Sequence, residues 1–336
     1  MSHLITVNAG DQSFRCASQQ TVLDAALSQG IVISYGCRSG LCGSCKGKLL
    51  SGDVEYGGQP PEGISGQDIE RGYALFCKAR PLSDLCIDIK VHPKQQALDI
   101  KTLPVRVERI DRLTADVIRL VIQLPASEPF DYIAGQWIYF LLPNGNKRAF
   151  SIANAPGKGH HLELHLRYVP GGIFTGTVLQ GLKPGDLLRI NGPHGTFTYE
   201  GEDQPILLVC GGTGFAPVKS ILEALLGSER KAPVHLFCGS RLKSDLYQRG
   251  LISELLDDVR LSFDEVLSDE SSDLWRGRLG NVHRAVLDKY PDLSTQVVYM
   301  AGPPQMIHAA TGDFVKAGLN PENLYFESFE YAEASN

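Results

Sequence analysis

A chain of 336 residues, 43% hydrophobic and 21% charged, has room for two domains or three small ones, and it is too apolar to be disordered. Its net charge of −6 excludes a strongly basic nucleic-acid binder, and no uncharged apolar run approaches the ~18 residues of a membrane span. The opening Met1-Ser2-His3-Leu4 lacks the basic and apolar regions of a signal peptide. A cytoplasmic protein is expected, and its reducing surroundings would leave the eight cysteines as thiols or ligands.

The charge is uneven: −1 over residues 1–92, +3 over 93–200 and −8 over 201–336. The local patterns shift with it. Residues 4–7 and 13–16 flank Gly10-Asp11 and read as a β-hairpin. Thr21 is placed to cap a helix over residues 22–29, ended by Gly30. A loop rich in glycine and cysteine follows, then strands over 46–50 and 85–91. Residues 93–102 read as a linker between a first domain, 1–92, and a second, 103–200. The second domain holds strand patterns over 104–110, 117–124, 137–142, 162–168 and 187–191, separated by Gly/Pro turns, which predicts an antiparallel barrel. Strand and helix alternate in the third, 201–336: strand 206–210, helix 216–226, strand 234–238, helix 245–256, strand 296–300 and a helix to about 317. That order predicts a doubly wound parallel sheet.

Cys37, Cys42 and Cys45 have the spacing C-x4-C-x2-C, and Cys77 follows at a distance. This is plant-type [2Fe–2S] spacing. A zinc site favours paired C-x2-C knuckles, and Cys77 has no close partner in sequence. Gly36, Gly40 and Gly43 permit the tight wrapping that four converging thiolates need, and their amides, with those of Arg38 and Ser39, can then point at sulfur. The other cysteines, Cys16, Cys86, Cys210 and Cys238, sit in strand-like contexts and are expected to act as small buried hydrophobes. Cys238 ends a strand that faces the expected nucleotide crevice.

Arg148-Ala149-Phe150-Ser151 follows a strand and a turn. An Arg here can grip a pyrophosphate, the aromatic can pack on a flat ring, and the Ser hydroxyl can reach a ring nitrogen. Alone, these residues read equally well as ordinary surface. Gly172 to Thr175 offers amides and a hydroxyl to a second phosphate. Gly211-Gly212-Thr213-Gly214 joins a strand to a helix, where amides and the helix dipole attract a pyrophosphate, although it is not a G-x-G-x-x-G fingerprint. Gly302-Pro303 repeats that logic at a later strand end. Arg241 and Lys243, after the second strand of the sheet, read either as partners of a 2′-phosphate or as a solvated basic turn, which leaves NADH and NADPH both open.

Together these motifs resemble the ferredoxin–NADP+ reductase superfamily fused behind an N-terminal plant-type ferredoxin. More narrowly they resemble the CDP-6-deoxy-Δ3,4-glucoseen reductases, and reductase components of multicomponent oxygenases share the domain order. The narrower likeness rests on residues 23–27, 132–136, 151–156 and 211–220 as well as the cysteine loop. The resemblance implies a β-grasp ferredoxin domain, a FAD-binding barrel and an NAD(P)-binding domain. It implies that Cys37, Cys42, Cys45 and Cys77 hold the cluster, that Arg148 holds the FAD pyrophosphate, and that Phe150 and Ser151 meet the isoalloxazine. The strand carrying His165 and Arg167 would touch the flavin, and Gly172 and Thr175 its phosphates. Gly211 to Gly214 and Gly302-Pro303 would take NAD(P)H, with Phe329 covering the flavin until nicotinamide displaces it. Two positions depart from the wider pattern: Phe150 stands where Tyr is usual, and Ala301 where Cys is frequent.

The expected activity is electron transfer from NADH or NADPH through FAD and the [2Fe–2S] cluster to a protein acceptor, either a deoxysugar dehydrase or an oxygenase component, with no nucleic-acid or membrane partner. A redox-sensing or scaffolding subunit is the reading from another class. A sensor need not keep the residues of a hydride path.

Overall fold

The computed structural model describes residues 1–95, 98–157, 159–199, 201, 203–271 and 275–329. Residues 96 and 97 of the expected linker, residue 200 at the end of the expected second domain, and the last seven residues of the chain lie outside these. The chain divides into two units, residues 1–98 with 195–197, and residues 99–194 with 198–336.

The first unit runs β1 (Ser2–Val7), β2 (Gln12–Ala17), α1 (Val22–Ser28), β3 (Lys46–Ser51), β4 (Val54–Glu55), α2 (Gly66–Glu70), β5 (Tyr73–Leu75), β6 (Arg80–Pro81) and β7 (Leu85–Asp88). Five strands form a mixed sheet in the order β2-β1-β7-β3-β5, with β1 and β7 parallel. The expected hairpin pairs His3 with Cys16 and Ile5 with Phe14. Thr21 caps α1 by accepting from the Asp24 amide at 3.1 Å, and α1 buries Val22, Leu23, Ala25 and Ala26. The last strand is shorter than expected; beyond Asp88, Val91 makes only an isolated bridge to Ile33.

The second unit opens with β8 (Lys101–Arg112), β9 (Val117–Gln123), β10 (Trp137–Leu141), β11 (Lys147–Ser151), β12 (His161–Arg167), a π-helical turn (Ile173–Val178), α3 (Leu179–Gly181) and β13 (Leu187–His194). The strands form an antiparallel sheet in the order β11-β10-β13-β8-β9-β12. The bridge from Ile152 to Leu164, with the Ala153 amide donating to the Glu163 carbonyl at 2.7 Å, closes its two edges into a barrel. Leu120, Ile122, Ile138, Phe140, Leu164 and Ile190 fill the interior.

The unit continues with β14 (Ile206–Gly211), α4 (Phe215–Leu226), β15 (Val234–Ser240), α5 (Gln248–Leu251), β16 (Leu261–Leu267), β17 (Arg278–Leu279), α6 (Val282–Lys289), β18 (Val297–Gly302), α7 (Pro304–Lys316) and β19 (Leu324–Ser328). Six parallel strands stand in the order β17-β16-β15-β14-β18-β19. The strand order reverses at β14, so the crevice for a ligand opens at its carboxyl end. Leu207, Val209 and Phe237 face α6 and α7 in one core. Strand alternation turns Leu208, Cys210, Leu236 and Cys238 to the other side. The expected helix over 245–256 is a correction: that stretch is α5 between two 3-10 turns, Lys243–Asp245 and Ser253–Leu255. Asp245 accepts from the Leu242 amide at 3.1 Å, and Gln248 from the Tyr247 amide at 2.9 Å, both local turn contacts.

Barrel and parallel sheet are locked through α4. Lys219, nearly buried, lies 3.3 Å from Glu163 of β12 and 2.8 Å from Glu223, and donates to the Ala153 carbonyl at 3.2 Å. Ser220 donates to the Asn154 carbonyl at 2.7 Å, and the Glu223 carboxylate accepts from the Ala155 amide at 3.0 Å. Burial raises the Glu163 pKa, but the hydrogen bond from His165 and the charge of Lys219 together outweigh it and hold the carboxyl at about 2. His235 of β15 lies 2.8 Å from Asp264 and 3.0 Å from the Tyr290 hydroxyl, and burial, helped by the Lys289 charge, lowers its pKa to about 4.

Both shifts make the unfolded chain bind more protons than the folded one as pH falls. Stability is expected to decline first from pH 6.5 to about 4 as His235 charges on unfolding, and again from pH 4.5 to about 2 as Glu163 is protonated. Urea unfolding across this range checks the order; a His235→Gln variant should make the upper limb shallower, the rest coming from His165 and His283, whose pKa values burial also lowers, and constant stability down to pH 4 would contradict these assignments.

Candidate cofactor sites

The cysteine loop wraps through left-handed backbone at Arg38 (φ 59°), Gly40 (φ 88°) and Gly43 (φ 78°). A second loop closes on it so tightly that a Cβ on Gly63 would stand 2.6 Å from the carbonyls of Gly40 and Leu41. The sulfurs fall into two pairs. In one pair, the Cys37 amide points at the Cys42 sulfur and the Cys42 amide at the Cys37 sulfur, each at 3.4 Å. Cys45 and Cys77 hydrogen-bond to each other in the second. The hydrogen bond from Cys42, reinforced by the Ser39 hydroxyl at 3.0 Å and the amides of Cys42 and Leu41, holds the Cys37 thiol down at about 4 against burial. The Gly40 amide points at Cys77, as expected, whereas Leu41, Cys42 and Ser44 supply amides that sequence reading did not single out. Four cysteine sulfurs arranged as two pairs are a donor set that fits a [2Fe–2S] cluster.

On the barrel, β11 carries the expected flavin residues. Arg148 is half-buried, and among the described residues its guanidinium has no carboxylate partner; it donates to the Lys147 carbonyl at 3.0 Å. The Phe150 ring packs 5.8 Å from Phe140 and 5.2 Å from Phe174. Ser151 is buried and donates to the Glu327 carboxylate at 3.0 Å. The π-helical turn starts at Gly172, where a Cβ would come within 2.9 Å of the Thr175 hydroxyl and 3.0 Å of the Val169 carbonyl, and Thr175 accepts from the Val169 amide at 3.1 Å. A cradle that only glycine permits, with a hydroxyl beside it, fits a phosphate.

The side chains of His165 and Arg167 turn toward α4 and the crevice at the end of β14. The His165 ring is wholly enclosed: Nε2 is 2.8 Å from Glu163, Nδ1 is 3.4 Å from the Tyr247 hydroxyl, and Phe215 stacks 5.9 Å away. Burial lowers its pKa, so it stays neutral, donating through Nε2 and accepting at Nδ1. The Tyr247 hydroxyl stands equally 3.4 Å from the Gly212 carbonyl and gives its one proton to either acceptor, so the His165 and Tyr247 side chains pack together behind the glycine loop. Arg167 pairs with Asp116 at 2.5 Å and lines the crevice at the end of β14, with Nη2 3.0 Å from where a Gly212 Cβ would stand.

That crevice is a cleft of about 550 Å³. It brings together Gly211, Gly212 and Thr213, then Arg241, then Pro303 and Phe329, as expected. The glycines are close-approach positions: a Cβ on Gly214 would stand 2.1 Å from the Ala301 carbonyl, and one on Gly302 (φ 157°) 3.1 Å from the Gly211 nitrogen. The Phe329 amide donates to the Gly302 carbonyl at 2.9 Å. Asp245, Ser268, Asn281 and His283 also line the cleft and were not read from sequence. The strand β16 and the helix α6 that deliver Ser268 and His283 lie in a stretch without glycine-loop signals. Arg241 is exposed and paired with Asp269 at 2.8 Å, and the Lys243 amide donates to Glu270 at 3.0 Å.

Comparison with known proteins gives these sites their class. The model of the 2Fe-2S iron-sulfur cluster binding domain matches residues 5–82, that of the oxidoreductase FAD-binding domain 104–199, and that of the oxidoreductase NAD-binding domain 208–312. The protein is an oxidoreductase with [2Fe–2S], FAD and NAD-binding domains on a ferredoxin-reductase-like fold. The CDP-6-deoxy-L-threo-D-glycero-4-hexulose-3-dehydrase reductase of Yersinia pestis is 37% identical over 94% of this chain and 95% of its own. The aromatic O-demethylase reductase subunit of an Amycolatopsis species is 32% identical over 96% and 98%. The crystal structure of the Amycolatopsis cytochrome P450 reductase GcoB superposes with a TM-score of 0.78 at 31% identity, covering 97% of this chain and 98% of that one. The chain belongs to the family of iron–sulfur flavoprotein reductases. Among the described residues no helix is long and apolar enough to cross a membrane.

The close approach at Gly214 makes a direct test. Gly214→Ala must push the glycine loop off β18, costing about 1–3 kcal/mol and weakening NAD+ binding. Gly312→Ala in α7, where nothing lies within 4 Å, should be neutral or stabilising. Urea unfolding and calorimetric NAD+ titration compare the two, and equal behaviour would contradict the packing.

Proposed function

We infer that this protein takes hydride from NADH at the cleft between barrel and parallel sheet and delivers single electrons, through its iron–sulfur domain, to a separate protein. The observation that carries the reading is the presence, in one chain, of two thiol pairs and a dinucleotide cleft walled by the flavin barrel's Arg167. Cys37 and Cys42 ligate one iron, and Cys45 and Cys77 the other. Arg148, Gly172 and Thr175 bind the FAD phosphates, Phe150 supports the flavin ring, and Ser151 would hydrogen-bond the ring once its hydroxyl turns from Glu327. Gly211, Gly212, Thr213, Gly214, Gly302 and Pro303 seat the dinucleotide pyrophosphate, and Phe329 excludes water from the nicotinamide position. Bound there, FAD accepts a hydride and releases electrons singly, which lets a one-electron cluster be filled from a two-electron donor. The residues contribute alignment more than acid–base chemistry.

NADH is favoured over NADPH by the rim of the cleft. Asp269 already holds Arg241, and Asp245 and Glu270 stand beside them, so a 2′-phosphate would meet carboxylates and a neutralised cation. NADH should exceed NADPH in kcat/KM by about tenfold or more. Asp269→Asn should narrow the gap by releasing Arg241. An NADPH preference abolished by Arg241→Ala would contradict this.

The relative at 37% identity supports a deoxysugar dehydrase as acceptor. The oxygenase reading is supported by the reductase subunit at 32% identity and by the match to the P450 reductase. A sensor or scaffold has less support, because the cleft and its glycine loops are kept whole. Cys77→Ser tests the path: reduction of cytochrome c should fall by at least about 100-fold, while NADH oxidation by ferricyanide, which takes electrons from the flavin, should be largely kept. Equal loss of both would contradict the assigned order.

A further inference from the structure

Four cysteines lie outside the cluster, and two of them, Cys210 and Cys238, meet. Cys210 ends in β14 and Cys238 in β15, and they are register partners on adjacent parallel strands. Both are fully buried, and their sulfurs lie 3.2 Å apart. Register partners in a parallel pair point to the same side of the sheet, with Cα atoms about 4.8 Å apart. That separation is inside the window a disulfide spans. The next residues along each strand, Gly211 and Gly239, are themselves partners, and both line the dinucleotide cleft. Tyr247, whose hydroxyl reaches the Gly212 carbonyl, lies within electrostatic range of both thiols. The pair therefore sits directly beneath the loop that receives the pyrophosphate.

We propose that Cys210 and Cys238 form a redox-active dithiol, converted by hydrogen peroxide to a disulfide that weakens dinucleotide binding. One sulfur attacks the peroxide O–O bond, becoming a sulfenic acid and releasing one water; the second sulfur displaces the sulfenic hydroxyl, which leaves as a second water. Two thiols lose two electrons and two hydrogens in all, and the peroxide takes them up. Paired strands stand closer than the ~5.5–6 Å usual between the Cα atoms of a disulfide, so closing the sulfurs to a bond of about 2.0 Å spreads the carboxyl ends of β14 and β15 by up to about 1 Å. Gly211 and Gly239 move with them, as does the contact from Tyr247. Burial, reinforced by the Cys210 hydrogen bond, pushes the Cys238 thiol up, so the reaction is slow and selects a small neutral oxidant over a bulky disulfide reagent.

The inference about binding rests on the dinucleotide reading of the cleft, but the bond itself does not. The holoenzyme, with FAD and cluster, is treated with hydrogen peroxide, its remaining thiols are alkylated, and tryptic peptides are mapped. A cross-link between the peptides 190–219 and 232–241 is expected. The Kd for NAD+, measured by calorimetry, should rise about fivefold or more and recover with dithiothreitol. Cys238→Ala, or Cys210→Ala if the first does not fold, should bind NAD+ normally and show no rise. Absence of the cross-link, a cross-link without change in Kd, or an irreversible rise that the variants share would overturn the proposal. Failure of the untreated holoenzyme to bind NAD+ would instead strike the functional reading and, with it, the effect on binding, while the peptide map still decides whether the bond forms.

Discussion

Everything in the larger unit depends on how α4 is held to the barrel, and one buried ammonium group does most of the holding. Lys219 has two carboxylates and a carbonyl within reach, Glu163, Glu223 and Ala153, and almost no solvent. Buried ion pairs of this sort add little net stability, yet removing one partner costs about 3–5 kcal/mol because a bare charge is left behind. The bond geometry therefore has one acceptable arrangement. Around it the turn at Ala153, Asn154 and Ala155 meets Lys219, Ser220 and Glu223 in turn. The glycine loop at the start of α4 is thereby set against the strand that carries His165 and Arg167. A hydride path needs that alignment and tolerates little error in it.

The legible part of the sequence is the part whose chemistry is local. Cys37, Cys42 and Cys45 at plant-type spacing and a glycine loop between strand and helix identify themselves within a few residues, whereas Arg-x-Phe-Ser gains its meaning only beside the other motifs. The two stretches 151–156 and 211–220, which carried the family resemblance, prove to be the two halves of the α4 lock. Their pairing was not readable, since nothing in either stretch names the other. Glu327 went unread for the same reason: its carboxylate meets Ser151 across 176 positions of chain. The stretch 245–256 breaks into α5 and two 3-10 turns, with Asp245 and Gln248 making local turn contacts that hydrophobic periodicity does not register.

β12 forms one of the two edges that close the barrel. Alternation along it sends His165 into the packed seam with Phe215 and Tyr247, and Arg167 beyond it to the cleft. The same alternation puts Cys210 and Cys238 on the face of the sheet opposite α6 and α7, beneath that seam. The dinucleotide loop is thus supported from below by a neutral histidine, a tyrosine and two thiols, none of which touches substrate.

The central claim is that electrons leave the flavin for the cluster of the same chain. Rapid mixing of anaerobic holoenzyme with one equivalent of NADH, followed by flavin absorbance and by rapid-freeze electron paramagnetic resonance, tests it directly. The account predicts bleaching of the flavin followed, within the turnover time, by the signal of a reduced [2Fe–2S] cluster. A flavin that stays fully reduced beside a cluster that stays oxidised would contradict it.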